Sequence, residues 1–252
     1  DRPLHLDVQR IELLMDIPEI PGLGYSSFKM ALCDSGNKSD GQGVSCHLSD
    51  NGLPVLENGL IHSSWNQNGT FTLSNLETNK VFPNVGEFCG EPEAGNAWVH
   101  TPEAPFSSSM NGNASFKITH QGPLMSSVEV TLTYNLDDDL HTEKQDTIQV
   151  VYSMLKGSPV LDVKIDMVNH YPNRRLRFAM PTSLNADKSY GEGQFDVVER
   201  PTHRMDTSDW VEQPMYDYPM HHFVDVSKDS QGLAVLVDGL KEYEITEGHD
   251  QK

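Results

Sequence analysis

Basic residues are scarce in this chain of 252 residues: 18 Lys and Arg stand against 37 Asp and Glu, a formal net charge of -19. A surface that acidic repels phosphate backbones and anionic lipid headgroups, so nucleic acid and membrane are excluded as partners. The acidity is itself a solubility feature and points to no chemistry. Cysteine is scarce too. Cys33, Cys46 and Cys89 share no zinc-binding spacing and leave one thiol over, which predicts a reduced, cytoplasmic protein. The sequons at Asn37, Asn68 and Asn113 are of a kind that arises often by chance. A secretory leader is lacking, as is any apolar run of membrane length. So is an initiator methionine: the chain opens on Asp1, which predicts a piece of something longer. Helical periodicity is nearly absent, and no internal repeat stands out.

What is there is alternation with a period of two. Ile148, Val150, Tyr152 and Met154 fall on one face of a strand. Val128, Val130, Leu132 and Tyr134 form another such set. Leu161, Val163, Ile165 and Met167 form a third, with Asp162, Lys164 and Asp166 facing away, and Leu176, Phe178 and Met180 a fourth. Phe223–Val226 and Leu233–Val237 read as a pair joined by the turn around Asp229–Gly232. Asn68-Gly69, between Ile61–Trp65 and Thr70–Leu73, predicts a hairpin with positive φ. Lys156-Gly157-Ser158-Pro159 and Asn169–Asn173 are further turns. Many short strands in a chain of this length predict a large antiparallel sandwich, because each half-buried sheet must cover its apolar face with another.

The expected organisation is an N-terminal part, residues 1–50, packed on or beside a main sandwich domain, residues 51–252. In the first part, Leu4–Leu14 reads as one or two strands. Ile17–Tyr25, with Pro18, Pro21, Gly22 and Gly24, must be irregular or edge. Asp34–Asp50, rich in Gly, Ser and Asp, is expected to be an exposed loop. Asn84–Met110 is expected to be a second long loop, folded down by Phe88, Trp98 and Phe106.

Motifs that carry chemistry are missing: no phosphate loop, no nucleophile elbow, no His-Glu-x-x-His. The adjacent His221 and His222 point to opposite faces of a strand and cannot easily share a metal. Arginines cluster between Pro159 and Arg204: Arg174, Arg175, Arg177, Arg200 and Arg204. Either they pin the protein's own carboxylates or they hold an anionic or polyol partner. Glu199, Asp209 and Glu212 are the neighbouring carboxylates, read as a structural ion-pair network or as sugar-hydroxyl recognition. Arg177 faces opposite to Leu176 and Phe178 and needs a partner if its face is covered. Trp98, flanked by Asn96 and His100, has the chemistry that suits the face and hydroxyls of a pyranose; the alternative is a loop anchor. Trp210, Tyr216 and Tyr218 form a second aromatic loop with the same two readings.

Several of these pieces, in order, resemble the β-sandwich region of the glycoside hydrolase family 38 α-mannosidases of bacterial type. The passages are VLENGLIHSSWNQNGTFTLSNLETNKVF (55–82), His120-Gln-Gly-Pro-Leu124, Asp166–Pro172 with Arg174–Arg177, Glu199-Arg200-Pro201, Pro219–Ser227 and Gly232–Ile245. Each is weak alone; the ordered series, over about residues 50–246, is specific. The resemblance implies an all-β fold, a large antiparallel β-sandwich of supersandwich, galactose-mutarotase-like form. It implies hydrolysis of α-mannosides, mannosylglycerate among the candidates, by the full-length enzyme. The family's catalytic Asp and zinc ligands precede its sandwich, and nothing here corresponds to them. This portion alone is thus expected to be inactive, to carry no catalytic or metal-ligating residue and no cofactor, and to have the catalytic domain as its partner; zinc belongs to the full-length enzyme. Assembly into a homo-oligomer is left open. The resemblance matches Ala97-Trp98-Val99-His100-Thr101-Pro102 to a family loop whose aromatic reaches the cleft, with Trp98 in place of a tyrosine. Trp98, Asn96, His100 and Tyr218 are therefore the candidate substrate-binding residues. Three other readings stand beside it: a self-contained carbohydrate-binding domain, a purely structural domain, and a sugar epimerase or mutarotase, for which no His–carboxylate pair is evident.

Overall fold

The computed structural model describes residues 11–17, 19–29, 31, 43–96, 99–103, 106–134, 146–169 and 172–246. Among them there is no α-helix, only strands and one turn of 3-10 helix, Ser109–Asn111. No helix among the described residues is long and apolar enough to cross a membrane. The first sheet is a five-stranded meander of β1 (Ser45–Leu48), β2 (Pro54–Glu57), β3 (Ile61–Trp65), β4 (Phe71–Asn75) and β5 (Lys80–Val85), each antiparallel to the next. The expected hairpin joins β3 to β4. Its tip closes with Asn66 hydrogen-bonded to Thr70, and Gly69 takes φ +87°. A Cβ at Gly69 would lie 2.3 Å from Cδ2 of Leu132, so both the backbone angle and the packing demand glycine.

At Gly86, φ +87°, the chain turns from β5 into a different sheet. That sheet begins with β6 (Glu87–Pro92) and short β7 (Ser107–Ser108). A hairpin-rich sheet follows: β8 (Asn113–Gln121), β9 (Met125–Tyr134), β10 (Asp146–Leu155) and β11 (Leu161–Met167), in the spatial order β11-β10-β9-β8. The next strand, β12 (Arg174–Ala179), returns to pair with β6. Then β13 (Lys188–Glu192) and β14 (Val197–Pro201) form a hairpin, β15 (Asp217–Pro219) stands apart, and β16 (Phe223–Lys228) with β17 (Gln231–Leu236) completes a four-stranded sheet in the order β14-β13-β16-β17. The last strand, β18 (Glu242–Glu244), pairs with β15.

The main core lies between the first sheet and the β8–β11 sheet, with β6 closing one side. It is built from the alternating sets read in the sequence: Val128, Val130, Leu132, Ile148, Val150, Tyr152 and Met154 are all buried, against Leu56, Ile61, Trp65, Phe71, Phe82 and Phe88. Trp65, Phe71 and Tyr152 meet in an aromatic trio with ring centroids 5.0–5.5 Å apart, tilted or edge-on, as aromatic quadrupoles favour. A small second core gathers Met220, Val224 and Tyr243.

Three local expectations need correction. Asp34–Asp50 is not all loop: β1 lies within it, because Val44 and Cys46 alternate inward and find the core. Residues 32–42 lie outside the described part. Asn84–Met110 is not all loop either, since β6 runs through it with Phe88 buried, whereas Phe106 is exposed rather than folded down. Of Leu4–Leu14, residues 4–10 lie outside the described part, and residues 11–14 are exposed and form no strand. Asn68, in a sequon, spends its side chain in the hairpin, accepting from Thr70 and donating to the Met110 carbonyl.

Candidate functional site

The arginines of β12 find their partners across the sheet. The register sets Arg175 opposite Glu91 and Arg177 opposite Cys89. Arg177 Nη2 reaches Glu91 Oε2 at 3.0 Å, and Nη1 reaches Glu244 Oε2 at 3.0 Å. Arg175 Nη1 lies 3.4 Å from Glu91, and its Nη2 lies 3.7 Å from Asp217. Glu244, on β18, also takes a 2.7 Å bond from Arg204. Glu91 is the deepest member, with its side chain 3% exposed. Three guanidinium groups and three carboxylates thus tie β6, β12, β15 and β18 together. A buried carboxylate survives in such a place because paired charges and hydrogen bonds offset its desolvation.

The same cluster grips the loop that carries the candidate residues. Glu93 and Pro102 form an isolated bridge, Ala94 donates to Thr101, and Asn96 donates to Val99. Glu93 Oε1 accepts from the amides of Gly95 at 2.6 Å and Thr101 at 2.7 Å. Glu93 also pairs with His100 Nδ1. On the other side of that ring, Arg175 Nη1 sits 2.7 Å from Nε2. Guanidinium can only donate, so Nε2 is the acceptor and Nδ1 carries the proton given to Glu93. His100 therefore bridges the loop and β12. Asn96 closes the tip of the loop, its Oδ1 accepting from the Val99 amide at 3.2 Å. Trp98 itself lies outside the described residues. Its neighbour Val99 is exposed, and so is Phe106 beyond the loop.

A second loop, residues 202–216, reaches the cluster through Arg204 and leads into Asp217. It leaves Met205, Trp210 and Val211 in solvent. Arg204 lies over the Tyr216 ring, 4.5 Å from its centroid. Tyr218 does not stand with this exposed set. It packs beside Tyr243, with centroids 5.8 Å apart, beneath the Arg200 guanidinium 4.9 Å from its ring. Arg200 also donates to the Tyr243 hydroxyl at 3.0 Å. Sequence proximity named the wrong carboxylates for these arginines. Glu199 pairs with Lys188 at the surface, while Asp209 and Glu212 are exposed. Glu91, Glu93, Glu244 and Asp217 take the central places, and only strand register could have found them.

Nucleophilic chemistry has little support here. Cys89, beside the cluster, has its thiol pushed up to about 12 by burial and by the nearby Glu87 carboxylate, which keeps it protonated and inert. His222 pairs with Glu192 at 2.9 Å, and its ring centroid is 6.0 Å from that of His221. Among the described residues no group of three or more His, Cys, Asp or Glu could hold a metal ion.

Removing the Glu93 carboxylate tests the clamp directly. In Glu93→Ala the amides of Gly95 and Thr101 lose their acceptor. Their hydrogen exchange should quicken by an order of magnitude or more while the β9 and β10 amides stay unchanged, since loop opening is local. Unchanged exchange at 95 and 101 would show that the loop is held some other way.

Fold and site together define a large antiparallel β-sandwich domain that holds its surface loops on a buried ionic base. The chain belongs to the family of the glycosyl hydrolases family 38 C-terminal domain, whose model matches residues 56–251. It is 22% identical over 230 residues to a "Putative mannosylglycerate hydrolase" of Halalkalibacterium halodurans, an alignment covering 79% of this chain and 24% of that protein. Its fold matches an alpha-mannosidase from Enterococcus faecalis V583 with a TM-score of 0.70 at 23% identity, over 76% of this chain and 24% of the other. A protein in the glycosyl hydrolase family 38, also from Enterococcus faecalis, matches with a TM-score of 0.71 at 20% identity, over 84% of this chain and 27% of the other. The chain thus spans about a quarter of the length of these relatives.

Proposed function

We propose that this chain is the β-sandwich portion of a longer retaining hydrolase of α-mannosides, mannosylglycerate among them, and that it braces the catalytic domain without performing chemistry itself. The observation that carries this reading is the clamp on residues 93–103. Glu93, His100 and Arg175 lock the base of the loop to the sandwich, while Val99 at its end stays exposed. A rigid base with an apolar tip suits a loop that completes a cleft made elsewhere. The names of the relatives support the substrate class, and the quarter of their length that this chain spans supports a catalytic domain elsewhere in the polypeptide.

In this reading Trp98 lends a stacking surface to a sugar ring, and Asn96 and His100 hold it in place rather than touch the sugar. Tyr218 serves the second core. This reading assigns zinc and its ligands to the other domain. A cytoplasmic location is part of the same reading, supported by the free thiols of Cys46 and Cys89.

The isolated 252-residue chain should release no aryl group from an aryl α-mannoside, with or without zinc. Zinc-dependent turnover by the isolated chain would overturn the proposal. Sub-millimolar binding of mannose or manno-oligosaccharides in calorimetric titration would favour a self-contained carbohydrate-binding domain instead, since half a cleft has too few contacts to bind well.

A further inference from the structure

Upstream of the family-model match, residues 11–17 lie largely in solvent. Ile11, Leu13, Met15 and Ile17 alternate as one face of a strand would, Leu14 falls on the other, and the segment has no strand partner among the described residues. Their exposures run from 44 to 67%, and beyond the turn closed by Gly24 on Pro21, Leu23 and Tyr25 are more exposed still. Asp16 ties the segment to Lys156 at 3.0 Å, in the β10–β11 turn. Val160, in the same turn, is 44% exposed. A strand-patterned chain with its apolar face in water is a site for another surface, because free domains rarely leave so long a patch uncovered.

We infer that residues 11–17 form an interdomain strand that adds to the edge of a β-sheet in the remainder of the longer polypeptide. Main-chain hydrogen bonds would supply affinity, and the alternating Ile11, Leu13, Met15 and Ile17 would fill pockets on that sheet. The inference rests on the reading that this chain works within a longer protein. A second copy of this chain is the weaker occupant, since two chains of net charge -19 repel. The relatives, by contrast, have about three quarters of their length outside the matched region, which is ample to build the receiving sheet.

Hydrogen exchange on the 252-residue chain and on the longer polypeptide tests the inference. In the chain alone, amides of residues 11–17 should exchange at nearly unprotected rates. In the longer polypeptide they should slow at least 100-fold, and Leu13→Asp with Ile17→Asp should abolish that slowing without altering exchange in β9 and β10. Equal exchange in both proteins would sink the inference. Concentration-dependent protection in the chain alone, with a dimer by light scattering, would overturn it in favour of a second copy. If the longer polypeptide hydrolyses α-mannosides but leaves residues 11–17 unprotected, only this inference fails. If no longer polypeptide exists, the proposed function falls with it.

Discussion

Glu91→Ala is expected to lower stability by about 3 kcal/mol, because it strips a buried partner from Arg175 and Arg177 at once. The carboxylate sits 3.0 Å from Arg177 with only 3% of its side chain exposed, so water cannot replace it without opening the β6–β12 sheet. The loss should not be larger, since Glu244 still faces both guanidinium groups. For a domain of this size about 3 kcal/mol corresponds to a fall of roughly 6–12 °C in melting temperature. Glu91→Gln keeps the shape and one hydrogen-bond acceptor and should cost less. Glu199→Ala is the contrast: its pair with Lys188 lies in solvent and should leave the denaturation midpoint unchanged. Equal midpoints for Glu91→Ala and Glu199→Ala would mean that the buried cluster contributes nothing net.

Phe71→Ala should cost about 4 kcal/mol, through lost burial and the cavity left behind. Phe71 is 1% exposed and touches the rings of Trp65 and Tyr152. It also lies against Gly86, where the chain turns from the first sheet into β6. Collapse to fill the space is blocked on two sides by large rings, so the cavity should persist. Urea denaturation would show the fall in midpoint at an unchanged slope. A loss below about 1 kcal/mol would mean that the aromatic trio repacks freely, and that the two sheets are held together elsewhere.

Glu91 sits in the β6–β12 pairing that anchors the candidate loop, whereas Phe71 lies against Gly86 at the start of β6. Stability and loop placement therefore share residues. Glu91 belongs to the core by burial, and to the site through Arg175 and His100. A loop mounted this way keeps its position without packing its own tip. That is what a domain needs when part of its surface must meet another.

Alternation of apolar residues along β9 and β10 was enough to read both strands and their buried faces, because a period of two has one meaning on a half-covered sheet. The turns at Asn68-Gly69 and Gly157 were legible for a related reason: both glycines adopt the positive φ that few other residues tolerate. The ordered motifs from Val55 to Ile245 were enough to reach the family. Arg177 announced its need for a partner by sitting opposite Leu176 and Phe178, but the partner could not be named. Glu91 lies 86 residues away and Glu244 lies 67 residues away, and only the pairing of β12 with β6 and the return of β18 bring them within 3.0 Å. The same holds for β6, hidden in a stretch rich in Gly and Pro that read as loop, and for the packing of Tyr218 against Tyr243. Local periodicity is a property of neighbours along the chain, so the sequence by itself determined the strands, the turns and the family. Register and burial are properties of neighbours across it, so the tertiary structure alone decided which carboxylates hold the arginines and which loop they clamp.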